Sequence, residues 1–166
     1  MGQYYRPVIL NADDEVTAWV RCYDYQNGAK LMEHSYLGNN FVMAVDMLLL
    51  ENAQRLVWAG DYAEEDYYLR CTEESKKTPL AGARQPPYVI NQDKKTYFNR
   101  DEVRKDLEGH VLDPLPLLTA LGNGRGGRDY RGADTEDVGI WAGDRIRVSF
   151  TKPSEEYARD YFFFAM

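Results

Sequence analysis

The densest chemistry in the chain lies in one glycine-rich segment, Gly122-Asn123-Gly124-Arg125-Gly126-Gly127-Arg128-Asp129-Tyr130-Arg131-Gly132. Its five glycines allow successive backbone N–H groups to turn toward a single anion. Arg125, Arg128 and Arg131 carry the planar donor fork that grips a phosphate or carboxylate with two parallel bonds. Asn123, Asp129 and Tyr130 complete the candidate ligand-binding set. Three arginines against the one aspartate give the segment a charge of +2 in a chain whose net charge is -7. The segment is not a P-loop, because no Gly-Lys-Ser/Thr follows, and no strand, helix and distal acid frame it as a dinucleotide fingerprint. The plain alternative is a structural loop whose arginines pair with Asp134, Glu136 and Asp137.

A second feature is the tetrapeptide Trp-Ala-Gly-Asp, which occurs at Trp58–Asp61 and again at Trp141–Asp144. In each copy an apolar strand-like pair runs into a small-residue turn whose aspartate can bond nearby amides. If the two strands lie side by side, Asp61 and Asp144 meet at one sheet end. There they could hold a hard divalent ion or act as an acid and base pair. With Asp129 and an assisting His34 they would describe a metal-assisted hydrolase of phosphoester or glycosidic bonds.

His34 is the natural general base near neutral pH. On a strand, however, Glu33 and Ser35 point to the face opposite His34 and cannot complete a triad. His110 is the other histidine, and no zinc-ligand spacing surrounds either one. No metal site is assigned, and the sequence requires no cofactor. The residues favour a noncatalytic protein over an enzyme, since no nucleophile, base and orienter assemble. The acidic cluster Asp61, Glu64, Glu65, Asp66, Glu73 and Glu74 reads as a solvated face, or as a phosphate-mimicking surface for another protein's basic groove.

The elements that must hold these residues read as α+β: a mainly antiparallel sheet packed against one long apolar helix, with further short helices. Tyr4–Leu10 and Val16–Tyr25 are predicted strands joined through Asn11-Ala12-Asp13-Asp14-Glu15. Asn27-Gly28 predicts a hairpin returning through Ala29–Tyr36. Asn39 and Asn40 offer a cap to a helix whose apolar face is Phe41, Val42, Val45, Leu48 and Leu49. Strands are expected at Arg55–Trp58, Tyr88–Ile90, Thr96–Phe98, Ile140–Trp141 and Arg145–Phe150. Short helices are expected over Asp101–Leu107 and Leu115–Leu121. Residues 62–87 form a loose excursion, 122–137 the glycine and arginine loop, and Tyr161–Phe164 a final strand or docked tail within a single domain spanning 1–166.

Composition sets the outer limits. Asp and Glu number 27 against 20 Lys and Arg, which argues against direct binding to nucleic acid or to an anionic membrane surface. Cys22 and Cys71 lack CxxC spacing and read as reduced side chains. No stretch approaches the roughly 18 apolar residues of a membrane span, and no signal segment precedes the first strand, so a cytoplasmic location is expected.

The strings Met1-Gly2-Gln3-Tyr4-Tyr5, Leu31-Met32-Glu33-His34-Ser35, Trp58-Ala59-Gly60-Asp61-Tyr62-Ala63 and Pro114–Ala120, leading into Gly122–Gly127, resemble a family of small proteins of bacterial genomes and of phages or prophages. The resemblance spans most of the chain and brings no activity or catalytic residue with it. Where the family pattern has a third consecutive glycine after Arg125, this chain has Arg128. The resemblance implies an intracellular accessory protein of mobile-element type. The combined expectation is a noncatalytic binding protein that captures a phosphate-bearing small molecule, or a protein partner, through Gly122–Gly132.

Overall fold

The polar run after Leu10 turns as its composition dictates. Asn11 Oδ1 accepts the amides of Asp13 and Glu15 at 2.9 and 3.0 Å, and Asp14 takes a left-handed φ of 60°. Strands β1 (Tyr5–Leu10) and β2 (Val16–Trp19) therefore pair antiparallel, with a bulge between Ile9 and Leu10. The computed structural model describes residues 3–125 and 136–165.

Seven further strands follow among the described residues: β3 (Gln54–Gly60), β4 (Tyr88–Asn91), β5 (Thr96–Asn99), β6 (Ala120–Gly122), β7 (Gly124–Arg125), β8 (Arg145–Ser149) and β9 (Ala158–Arg159). They form one mixed sheet in the order β2-β1-β3-β8-β4-β5-β9. The parallel pairings are β3 with β6 and β5 with β9. The central strand β3 pairs with β1 along one edge, while its other edge is shared by β8 near Gln54 and β6 near Trp58. The chain is thus α+β, and none of its described helices is long and apolar enough to cross a membrane.

The helices are shorter than the sequence suggests. The longest described helix, α2 (Asn40–Leu49), has ten residues. Asn39 starts it, its Oδ1 accepting Val42 N at 2.9 Å. It stops where Gln54 Nε2 takes the Leu48 carbonyl at 2.7 Å and the Glu51 amide turns to Val148 O at 2.9 Å. Helix α3 (Pro114–Leu118) is capped by Asp113 Oδ1, which accepts Leu115 N, and gives way to β6 after Thr119.

Three expected elements are replaced. Ala29–Tyr36 does not return as a strand; Leu31–His34 forms the single turn α1, because a helical i, i+3 spacing buries both Leu31 and His34. Ile140–Trp141 lies in a turn whose amides serve neighbouring edges, Trp141 N to Leu118 O and Gly143 N to Leu56 O. Asp101–Leu107 contributes only one 3-10 turn, Arg100–Glu102, begun by Asn99. The C-terminal aromatics dock: Phe164 is buried, and Phe162 stands edge-on to Trp141 at 5.5 Å.

The main core joins α2 and α3 to one sheet face through Phe41, Leu49, Leu56, Trp58, Leu117 and Trp141. The opposite face carries a smaller cluster of Val8, Leu10, Trp19, Val57 and Ala59. Residues 62–75 cover this second face: Tyr67, Tyr68 and Cys71 turn inward while Glu64, Glu65, Glu73 and Glu74 stay exposed. This covering segment is pinned by Trp19 Nε1 to Glu73 O at 2.8 Å, Lys76 N to Trp19 O at 2.8 Å and Ser75 Oγ to Asp24 at 2.7 Å.

Candidate functional site

One end of the sheet carries Asp61, Asn123 and the backbone of Arg125, three of the polar residues singled out by the sequence. Register places Tyr5 opposite Gly60, Arg6 opposite Ala59 and, on the other edge of β3, Leu121 beside Ala59. The hairpin β6–β7, which leads into the glycine and arginine segment, therefore roots on the end of β3. Gln3 Oε1 accepts the Asn123 amide at 3.0 Å and ties the N-terminal segment to the same root. Asn123 is exposed there and the backbone of Arg125 belongs to β7. Arg128, Asp129, Tyr130 and Arg131 lie outside the described residues.

Gly60 is required by close approach. A Cβ at this position would stand 2.9 Å from Gln3 Oε1, 3.1 Å from Gly122 Cα and 3.1 Å from the Tyr5 ring. Gly60→Ala is expected to cost about 1–3 kcal/mol through overpacking. Thermal denaturation should show this as a melting temperature lowered by about 2–10 °C.

Asp61, directly after β3, is a structural clasp: its Oδ1 accepts Tyr4 N at 3.0 Å while its own amide donates to Tyr4 O at 3.0 Å. Asp144 sits at the other end of the same strand, where its carbonyl accepts Leu56 N. Five residues of extended chain, roughly 16 Å, separate the two levels. Asp144 is instead held by Asn91 Nδ2 at 2.9 Å and by the Lys94 ammonium. The two Trp-Ala-Gly-Asp copies thus occupy unlike settings, one the end of a central strand and the other a turn, and they do not bring their aspartates together. Among the described residues, no cluster of three or more His, Cys, Asp or Glu is arranged to hold a metal ion.

His34 is fully buried between these ends. The Trp58 indole N–H donates to its Nδ1 at 2.9 Å, and an indole nitrogen can only donate. The ring proton therefore sits on Nε2, which donates to Gly28 O at 2.7 Å. Burial pushes the pKa down to about 4, against a smaller opposing effect of the Gly28 carbonyl. With both nitrogens used and the Phe41 ring 4.7 Å away, His34 is a neutral core connector. Burial likewise raises both thiols, Cys71 to about 11, so neither is a ready thiolate.

Two further groupings escape a linear reading of the sequence. Buried Arg100 grips Asp46 bidentately, Nη1 to Oδ2 at 2.9 Å and Nη2 to Oδ1 at 3.0 Å, and places Nε 3.1 Å from Asp113 Oδ2. Gln85 Nε2 also donates to Asp46, and Arg100 Nη1 to Pro86 O. Burial pushes the Asp46 pKa up to about 6, with Asp113 adding to the rise and Arg100 opposing it. This triad locks α2, the start of α3 and the chain after β5 together inside the core.

The second grouping is at the surface, beside the root of the glycine and arginine segment. Arg6 stacks between the Trp19 ring at 4.7 Å and the Tyr68 ring at 4.1 Å, and its Nη1 donates to Tyr68 O at 2.9 Å. Arg21 approaches the same indole at 5.2 Å. Leu121, in the hairpin root, packs against the cluster that contains Trp19. The arginine cluster and the root thus share one sheet face, roughly 10 Å apart across β3.

Comparison with protein-family models, curated proteins and solved structures finds no match for this chain.

Proposed function

We propose that this chain is a noncatalytic binding protein that captures a phosphate-bearing ligand through the segment Gly122–Gly132. The observation that carries this reading is the anchorage of its root. Residues Ala120–Arg125 form a hairpin fixed to the end of the central strand and clasped by Gln3, so the arginine-bearing segment grows from a rigid base. Binding residues on a loop held by a rigid scaffold are a common functional arrangement. Glycine tolerates the backbone turns that aim successive amides at an anion, and Arg125, Arg128 and Arg131 would supply charge and bidentate donors. Tyr4 and Tyr62 are half exposed beside the clasp made by Asp61 and offer stacking surface.

Binding is favoured over hydrolysis by the geometry of the acids. Asp61 and Asp144 stand at opposite ends of β3, and His34 is spent on Trp58 and Gly28. The test is equilibrium dialysis of the wild-type protein and the Arg125→Ala/Arg128→Ala variant against a cell extract, followed by phosphorus analysis of the retained small molecules. Wild-type protein is expected to retain a phosphate-bearing species. The double variant should retain less of it while melting within about 2 °C of wild type. Equal retention by both proteins would sink the assignment.

A further inference from the structure

We infer a second anion site, independent of the glycine and arginine segment: a cleft between Arg6 and Arg21 on the Trp19 indole that takes a phosphate group. Strand register brings the two arginines together. Val8 pairs with Trp19 and Ile9 with Ala18, and the Val20 amide donates to Pro7 O. Continuing this register sets Arg6 directly opposite Arg21. Like charges directly opposite on neighbouring strands destabilise a sheet. Here both guanidinium groups also gather at one ring, with centroid distances of 4.7 and 5.2 Å.

Nothing described in the protein neutralises them. In a chain with 27 carboxylates, neither Arg6 nor Arg21 makes an ion pair among the described residues. Asp61 is committed to the Tyr4 amide and Glu33 to the Lys30 amide. Arg55, Arg70, Arg100, Arg145, Arg147 and Arg159 each have a carboxylate partner, and Arg84 and Arg104, which have none among the described residues, stand alone on separate rings, Phe150 and Phe163. A local like-charge pair, costly in the free protein and relieved by a ligand, is how a binding site departs from the rules that stabilise the rest of a fold.

The shape of the cleft narrows the ligand class. Arg6, Trp19, Arg21, Tyr23, Ala29 and Tyr68 line a space of about 50 Å³. One water-sized probe needs on the order of 10–15 Å³, so the cleft has room for a phosphate group but not for a nucleoside. The Tyr23 ring at its mouth is 67% exposed and lies free to stack on the remainder of the ligand. The ligand is therefore a phosphate ester with an aromatic group, phosphate inward and ring outward.

The site is tested by thermal denaturation in low-salt buffer free of phosphate and sulfate, with inorganic phosphate, AMP and adenosine as probes and sodium chloride matched for ionic strength. Inorganic phosphate should raise the wild-type melting temperature, AMP should raise it further, and adenosine or matched chloride should not. Arg21→Glu, which places an acid opposite Arg6, should melt about 1–3 °C above wild type without ligand and respond less to phosphate. By calorimetric titration Arg21→Ala should bind AMP about 10- to 100-fold more weakly. The Arg125→Ala/Arg128→Ala variant should keep the part of the phosphate response that Arg21→Glu removes, which separates this site from the loop reading. A wild-type protein indifferent to both phosphate and AMP would overturn the proposal. So would a lower melting temperature for Arg21→Glu, or an undiminished phosphate response in it.

Discussion

Replacing Arg100 with methionine is expected to cost about 3–5 kcal/mol, the scale seen when one partner of a buried ion pair is removed. Asp46 and Asp113 are wholly buried and Arg100 nearly so. Without the guanidinium, two carboxylates remain in the core, and the links from α2 to the chain after β5 and to the start of α3 are lost together. Globular domains have only about 5–15 kcal/mol of net stability, so the loss should appear as a large fall in the midpoint of urea denaturation. Arg100→Met combined with Asp46→Leu removes both members of the bidentate pair and should recover most of the deficit. Asp113 would still cap α3 through Leu115 N in that variant. If the double variant is no better than Arg100→Met, the cost lies in packing and not in stranded charge.

His34→Leu is the second large effect, about 2–5 kcal/mol, because it strands the Trp58 indole N–H and the Gly28 carbonyl in the core. Its size should depend on pH in a defined direction. The folded pKa of His34 is lowered from 6.5 to about 4, so the folded state binds fewer protons between those values. The stability it contributes is present above about pH 6.5 and lost as pH falls through about 4. Asp46 runs the other way: its folded pKa is raised from 3.8 to about 6, and its contribution is lost as pH rises through that range. In the wild-type protein the two dependences oppose each other between about pH 4 and 6. Asp46 is present in both proteins and cancels from their difference, so the cost of His34→Leu should shrink by about 3 kcal/mol from pH 7 to pH 4 through His34 alone. Urea denaturation at several pH values measures it, and a pH-independent cost would show that His34 is not held neutral by the fold.

These two residues also show where a linear reading works and where it stops. The β1–β2 turn and the start of α2 are legible because their signals are local: Asn11 bonds amides two and four residues on, and Asn39 bonds an amide three residues on. The β4–β5 hairpin is legible for the same reason. Asn27-Gly28 misleads because the local hairpin preference is overridden by the burial of Leu31 and His34 on one helical turn. The second Trp-Ala-Gly-Asp copy misleads because Trp141 fills the core from a turn, with its amide on Leu118 O. Arg100 and Asp46 are 54 positions apart, and nothing in the spacing joins them.

The Arg6–Arg21 pair is hidden by one residue. Leu10 pairs with Val16, so counting back from the turn would set Arg6 opposite Val20. The bulge between Ile9 and Leu10 shifts the register and brings Arg21 opposite instead. A one-residue slip exchanges the two faces of a strand, and here it decides whether two arginines meet at Trp19. The sequence leaves open whether Asp61 and Asp144 meet, since the likeness around them is compatible with neighbouring strands; β3 holds them at its two ends.

The central claim, that the chain binds a phosphate-bearing ligand and does not turn it over, is tested most directly by native mass spectrometry of protein purified gently from cells. A population heavier than the bare chain is expected, from which a phosphorus-containing molecule is released intact on denaturation. The same preparation of the Arg125→Ala/Arg128→Ala variant should show a smaller such population, the remainder being the share held at the Arg6–Arg21 cleft. A spectrum showing only the bare chain for wild-type protein, or an equally populated adduct on both proteins, would contradict it.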